Sequence, residues 1–212
     1  MHNMPKYIDI KNASDNAKIL IAKEVAKDLK EGKIVVFPTE TVYGLGSSMD
    51  EASVQKVYEI KGRDKTKPLP IMIGNVKDIE IVADEIPFLF YELANKYMPG
   101  PLTVVLKKKP SVSDIITGGR DTVGVRMPNC LFALNLIRFA QSPIIATSAN
   151  LSGKPSPKDF ISAQKDMTGK ADVFVDEGEC EGGTPSTIID LSGEKPIILR
   201  QGSLELNLSE QI

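Results

Sequence analysis

Short apolar runs that stop in polar turns constrain this chain more than any other feature. "IVVF" (34–37) runs into "FPTETVYGLG" (37–46), and "PIIATSA" runs into "TSANLSGKPSP" (147–157). "GGTPST" (182–187) precedes "STIIDL", and "RQGS" (200–203) closes "PIILRQ". "KYIDI" (6–10), "LPIMI" (69–73), "LTVVLKK", "TVGVRMP" and "ADVFVD" read as further strands. Helical periodicity separates them over 17–30, 51–60, 76–84, 87–97, 131–141 and 156–167. The first helix has Ser14, Asp15 and Asn16 as cap candidates and Gly32 as a stop, and the last has serine and proline at its start. Strands alternating with helices predict a mixed α/β fold on one continuous, strongly twisted sheet. No linker divides it, so 1–212 is expected to be a single domain, with 177–185 as a loop.

Each polar segment taken singly is a turn, because Gly, Pro, Ser and Asn are turn residues. Four of them at the ends of apolar strands point to a site, because ligands of open α/β sheets collect where hydroxyls, backbone amides and helix N-termini converge. The charged residues agree. The chain carries a net charge of −2, so it has no bulk field for nucleic acid or anionic membrane, and any anion site is local. "KGRDKTKPLP" (61–70) is such a place: it holds four cations, and Pro68 and Pro70 stiffen its C-terminal end. Arg126 and Arg200 end strands, where a guanidinium fork can meet phosphate or carboxylate. Lys65 and Lys107–Lys109 suit solvated charge better.

Several chemistries are disfavoured. The single histidine is His2, which argues against a Ser-His-Asp triad, a Cys-His pair and structural zinc. Cys130 and Cys180 form no CxxC pair and read as reduced thiols of a cytoplasmic protein, with no protein-held metal. There is no phosphate-loop motif, and "GLGSSM" (44–49) lacks the third glycine of a dinucleotide fingerprint. Residues 1–16 are polar, and no apolar run approaches the ~20 residues of a membrane span. Met72 reads as core and Tyr43 as either packing or a stacking surface, while Glu40, Asp176 and Asp190 read as structural.

In order along the chain, "FPTETVYGLG", "KGRDKTKPLPIMI", "PGPLTVVL", "TVGVRMP", "ATSANLSGKPSP", "PSTIIDL" and "ILRQGS" resemble the YrdC-like family, which contains the threonylcarbamoyl-AMP synthases of TsaC type. The match runs from about residue 15 to 203. The resemblance implies an open, twisted α/β sheet with flanking helices and a concave basic cavity. It implies the reaction of L-threonine, bicarbonate and ATP, with Mg2+, to threonylcarbamoyl-AMP and pyrophosphate. The product would pass to a tRNA threonylcarbamoyl transferase complex for t6A modification. Because the chain stops soon after Arg200, it resembles the short form of the family, without an extra C-terminal domain.

Carried over by position, Lys61 and Arg63 match the family's KxR, and Ser148 and Asn150 its SxN; these four are the catalytic candidates. Arg63, Lys67, Thr122, Ser148, Ser156 and Arg200 match ATP contacts. Thr41, Met72, Arg126, Ala146 and Ser186 match threonine contacts, with Arg126 on the carboxylate and Ala146 offering backbone. The chain departs at Asp64, where many members have proline, and at Met72, where many have a histidine contacting threonine. Adenylation needs no protein nucleophile, so arginines and hydroxyls at strand ends suit it without histidine. A second reading is an RNA-binding or ribosome-associated module that holds a tRNA or double-stranded RNA backbone. Short basic clusters, no tryptophan and no RNP-type aromatics speak against it. A third reading, a carbamoyl-transferring relative of the hydrogenase-maturation kind, lacks that group's zinc-finger and acylphosphatase-like segments.

Overall fold

The computed structural model describes residues 4–206; His2 lies outside them. Ten strands form one mixed sheet: β1 (Lys6–Asp9), β2 (Val35–Phe37), β3 (Gly44–Ser47), β4 (Ile71–Met72), β5 (Leu102–Lys107), β6 (Thr122–Arg126), β7 (Ile144–Ser148), β8 (Val173–Asp176), β9 (Thr187–Asp190) and β10 (Ile197–Arg200). Their spatial order is β1-β8-β2-β3-β7-β4-β6-β5-β9-β10. Neighbours are parallel at β1/β8, β8/β2, β4/β6 and β5/β9. They are antiparallel at β2/β3, β3/β7, β7/β4, β6/β5 and β9/β10.

The helices among the described residues are α1 (Asp15–Lys30), α2 (Glu51–Lys61), α3 (Ile79–Val82), α4 (Phe88–Tyr97), α5 (Asp114–Thr117), α6 (Leu131–Ala140) and α7 (Phe160–Met167). Side chains cap two of the longer ones at their starts. Ser14 accepts from the Ala17 N–H at 3.3 Å, and Asp50 from the Ser53 N–H at 3.0 Å. Gly62, at φ 56°, ends α2 in the left-handed conformation that glycine adopts without Cβ strain.

Strand parity divides the molecule. Val36, Leu45, Ile71, Val104, Val123, Val125, Ile145 and Ile189 point to one face, which α2, α3, α4, α5 and α7 cover. Val35, Phe37, Met72, Ile144, Ala146, Val173 and Val175 point to the other, where α1 and α6 pack. Those two helices cover only part of that face. Beyond them the same parity continues through Thr122, Gly124, Arg126, Thr103, Val105, Ile188 and Asp190, which line an open cavity. The "TVGVR" alternation is thus valines into the core and Thr, Gly and Arg into the concavity.

Local readings change in five places. "GLG" is not a polar loop but the buried strand β3, and a Cβ on Gly46 would lie 2.6 Å from the Phe37 ring. The helix expected over 156–167 begins at Phe160, because Asp159 caps it by accepting from the Ser162 N–H at 2.7 Å. That leaves Ser156 and Pro157 in the preceding loop, where the Pro157 carbonyl accepts from the Tyr43 N–H at 2.8 Å. The helix expected over 76–84 is a 3-10 turn, Val76–Asp78, followed by the single turn α3. The strand in "LPIMI" shortens to Ile71–Met72. The short α5, ended by Gly118 at φ 61°, is additional.

Candidate active site

The cavity has a volume of about 350 Å³ and lies on the sheet face that α1 and α6 leave uncovered. Four arginines line it, Arg63, Arg120, Arg126 and Arg200, against one lining carboxylate, Asp190. A chain with no net positive charge therefore concentrates cations in one place.

Its deep end is built on β6. Arg126 is 6% exposed, and its Nη2 donates to Glu40 Oε1 at 2.7 Å and to Thr41 Oγ1 at 2.8 Å. The "PTET" segment is pre-set to receive it. Thr39 Oγ1 donates to the Val42 carbonyl at 2.7 Å and accepts from the Thr41 and Val42 N–H groups, both at 3.2 Å. With the Thr39 proton so used, the Thr41 hydroxyl donates to Thr39 Oγ1 at 2.9 Å and turns a lone pair to Arg126. The glycine-rich loop 177–183 buttresses this segment through the Gly182 N–H on the Glu40 carbonyl, 2.9 Å. Tyr43 is fully buried; its hydroxyl donates to the Gly178 carbonyl and accepts from the Glu177 N–H, each at 3.0 Å, and the residue lines the cavity. Met72 sits in register with Arg126 across β4 and β6, on the same face.

The adjoining wall comes from the start of β9 and from β10, next to Thr103, the cross-strand partner of Arg126. The Ser186 and Thr103 hydroxyls are 2.8 Å apart. Arg200 holds Ser186 by donating to its carbonyl from Nη2 at 2.7 Å and from Nε at 3.1 Å. Arg63 donates from Nη2 to the Pro68 carbonyl at 2.9 Å and from Nε to the Lys67 carbonyl at 3.2 Å, which folds the basic loop around its own guanidinium. Burial lowers the pKa of Arg63 and, with Arg126's charge second, of Arg200. Desolvated cations without carboxylate partners are the electrostatic description of an anion site.

The sequence candidates separate into two groups. Arg63, Met72, Thr122, Arg126, Ala146, Ser148, Ser156, Ser186 and Arg200 all line the cavity. Thr41, Lys61, Lys67 and Asn150 do not. Thr41 acts on Arg126, Lys67 is exposed, and Lys61 and Asn150 bond to each other beneath the cavity floor. Thr39, Thr103, Arg120 and Asp190 are lining residues that sequence reading missed. The strand parity of β5 and β9 was available as a signal for Thr103 and Asp190. Glu40, Asp176 and Asp190 do have the structural roles expected of them: the first two pair with Arg126 at 2.7 Å and Lys11 at 2.9 Å, and Asp190 accepts from the Ser192 N–H at 2.8 Å and hydroxyl at 2.6 Å while also lining the cavity. Among the described residues no group of His, Cys, Asp or Glu is arranged to hold a metal ion, and no helix is long and apolar enough to cross a membrane.

Known proteins share this sequence and architecture. The Sua5_yciO_yrdC family model, described as telomere recombination, matches residues 27–202. The chain is 45% identical over 206 residues to a threonylcarbamoyl-AMP synthase of Pyrococcus abyssi, covering 97% of this chain and 60% of that protein. It is 38% identical over 200 residues to a threonylcarbamoyl-AMP synthase of Bacillus subtilis, covering 93% and 58%. The crystal structure of P. abyssi Sua5 complexed with L-threonine matches with a TM-score of 0.86 at 42% identity, over 94% of this chain and 58% of that one. The chain spans about three fifths of the length of these relatives.

Proposed function

The chain belongs to the Sua5–YciO–YrdC family, and from that premise we propose that it is a threonylcarbamoyl-AMP synthase, a nucleotidyltransferase acting on L-threonine, bicarbonate and ATP. The observation that carries this reading is the buried Arg126, flanked by Thr41 and Met72, in a cavity that Arg63, Arg120 and Arg200 also line. That arrangement suits an amino-acid carboxylate at Arg126 and a triphosphate on the remaining arginines. The complex of P. abyssi Sua5 with L-threonine supports the amino-acid assignment.

The chemistry asks little of the protein beyond position and charge. The threonine amine adds to bicarbonate, and water leaves to give the carbamate. A carbamate oxygen attacks the α-phosphorus, and the bond to pyrophosphate breaks. Arg63, Arg120 and Arg200 line the cavity and would offset the charge that collects on the departing pyrophosphate, with the Ser148 and Thr122 hydroxyls as further lining donors. Mg2+ would neutralise phosphate charge when it enters with ATP. Asp190 is the carboxylate that lines the cavity and would be the protein's ligand to such an ion, so the phosphates themselves would supply most of the others. The product would serve a tRNA threonylcarbamoyl transferase in t6A formation. The free thiols of Cys130 and Cys180 are consistent with a cytoplasmic setting.

The test is mass spectrometry of a short incubation with ATP, Mg2+, L-threonine and isotopically labelled bicarbonate, with L-serine in parallel. An AMP adduct carrying threonine and the label is the expected result. No adduct from either amino acid, with ATP still bound, overturns the assignment.

A further inference from the structure

Lys61 ends α2, and its side chain turns under the sheet instead of into the cavity. It is 2% exposed. Its Nζ donates to the Ser148 carbonyl at 2.5 Å, the Asn150 carbonyl at 2.7 Å and Asn150 Oδ1 at 3.3 Å. An ammonium has three hydrogens and a neutral amine two, and in either form the three oxygens of one turn can take them all. None is left for a phosphate.

The backbone repeats the contact, since the Lys61 carbonyl accepts from the Ser152 N–H at 2.8 Å. The turn from Ser148 to Ser152 is therefore gripped by one residue through both its side chain and its main chain. From the opposite side, Asp166 on α7 accepts from the Leu151 N–H at 3.1 Å and from Lys154 at 2.7 Å. Within this turn only Ser148 faces the cavity. The Asn150 amide also donates to the Lys154 carbonyl at 2.6 Å, so both ends of that side chain are committed to the turn.

We infer that Lys61 is a positioning residue that acts on nucleotide through Ser148, by clamping the β7 exit turn, and is not itself a phosphate ligand. The neighbouring Arg63, two positions on, faces the cavity and takes the direct role. The "KGR" segment thus splits into one cation for the protein and one for the ligand. Its consequence for nucleotide rests on the synthase reading; the clamp itself does not.

Hydrogen exchange of Lys61→Met, which keeps the aliphatic stem and removes the donors, tests the clamp with no ligand present. Amides 149–152 should exchange about tenfold faster or more, with α1 and β2 unchanged. Asn150→Ala, which removes one of the three acceptors, should give a smaller change in the same segment. Unchanged exchange in both variants overturns the clamp.

A double-mutant cycle on ATP affinity then tests the route. Lys61→Met and Ser148→Ala should each weaken binding roughly tenfold, and the double variant should lose little more than either alone. Fully additive losses would make Lys61 a direct ligand and overturn the inference. If the wild-type protein binds no ATP, the synthase reading falls and, with it, the route through Ser148, while the exchange experiment still decides the clamp.

Discussion

Arg126 and Glu40 form an ion pair of 2.7 Å between side chains 8% and 12% exposed, and each keeps one buried polar atom, Arg126 Nε and Glu40 Oε2, without a hydrogen bond. A buried pair so incompletely satisfied adds little to stability as a pair, yet breaking it is costly because one charge stays behind. Glu40→Leu should destabilise the fold by about 3–5 kcal/mol. Glu40→Leu with Arg126→Met should recover part of that loss. Urea unfolding of the three proteins checks both; a neutral single variant would show that Arg126 is held by Thr41 alone.

Arg120 extends the anion site from a second loop. A Cβ on Gly118 would lie 2.6 Å from the Thr66 carbonyl oxygen, so the turn carrying Arg120 rests directly against the basic loop that carries Arg63. If the synthase reading holds, Arg120→Ala should weaken ATP about five- to tenfold and AMP much less, because the lost charge would serve the β- and γ-phosphates. Calorimetry with the two nucleotides checks it, and equal losses would place Arg120 elsewhere on the ligand.

Lys61 gives a pH signature. Burial, and secondarily Arg63's charge, push its pKa from the ordinary 10.5 down to about 7. The unfolded chain keeps that proton up to the ordinary value, so between about pH 7 and 10.5 the unfolded state binds more protons. Stability from this residue therefore rises with pH across that window and is lost again as pH falls back toward 7. Lys61→Met should remove a slope on the order of 1 kcal/mol per pH unit from urea unfolding at about pH 7 to 9. Parallel curves for the two proteins would show that Lys61 stays charged.

The thiols should be silent. Burial pushes Cys130 up to about 12 and Cys180 up to about 11. At about pH 8 neither offers appreciable thiolate, so a maleimide or disulfide reagent should label the folded protein at least about a hundredfold more slowly than the urea-unfolded chain. Rapid labelling of either would show that its surroundings open readily.

Gly46 is a steric requirement. Its Cβ position is occupied by the Phe37 ring edge at 2.6 Å, across the β2/β3 pair. Gly46→Ala should cost about 1–3 kcal/mol, and Gly46→Ala with Phe37→Leu should recover some of it. Thermal unfolding of the pair decides this.

Much of the fold was legible because its signals are local. Short apolar runs ending in polar turns marked most of the strands, and the cap candidates Ser14, Asp15 and Asn16 bracketed the start of α1, where Ser14 makes the cap. Local rules misread "GLG", because glycines look like a turn unless the Phe37 ring that needs their bare backbone is in view. They also started α7 too early, because serine and proline compete as start signals with an Asp159 that makes the better cap.

The α/β class, the order of polar strand ends and the family to which those segments belong can all be read from the residues alone. Which cations the ligand can reach cannot, because that depends on contacts made far along the chain. Arg126 meets Glu40 across 86 residues and Lys61 meets Ser148 across 87, and no short-range period encodes such pairings. The physical reason is competition for donors. Each cation has a small, fixed number of hydrogens, and folding alone settles how many are spent on the protein's own oxygens, as at Lys61, and how many remain for a cavity, as at Arg63, which spends two on its own loop.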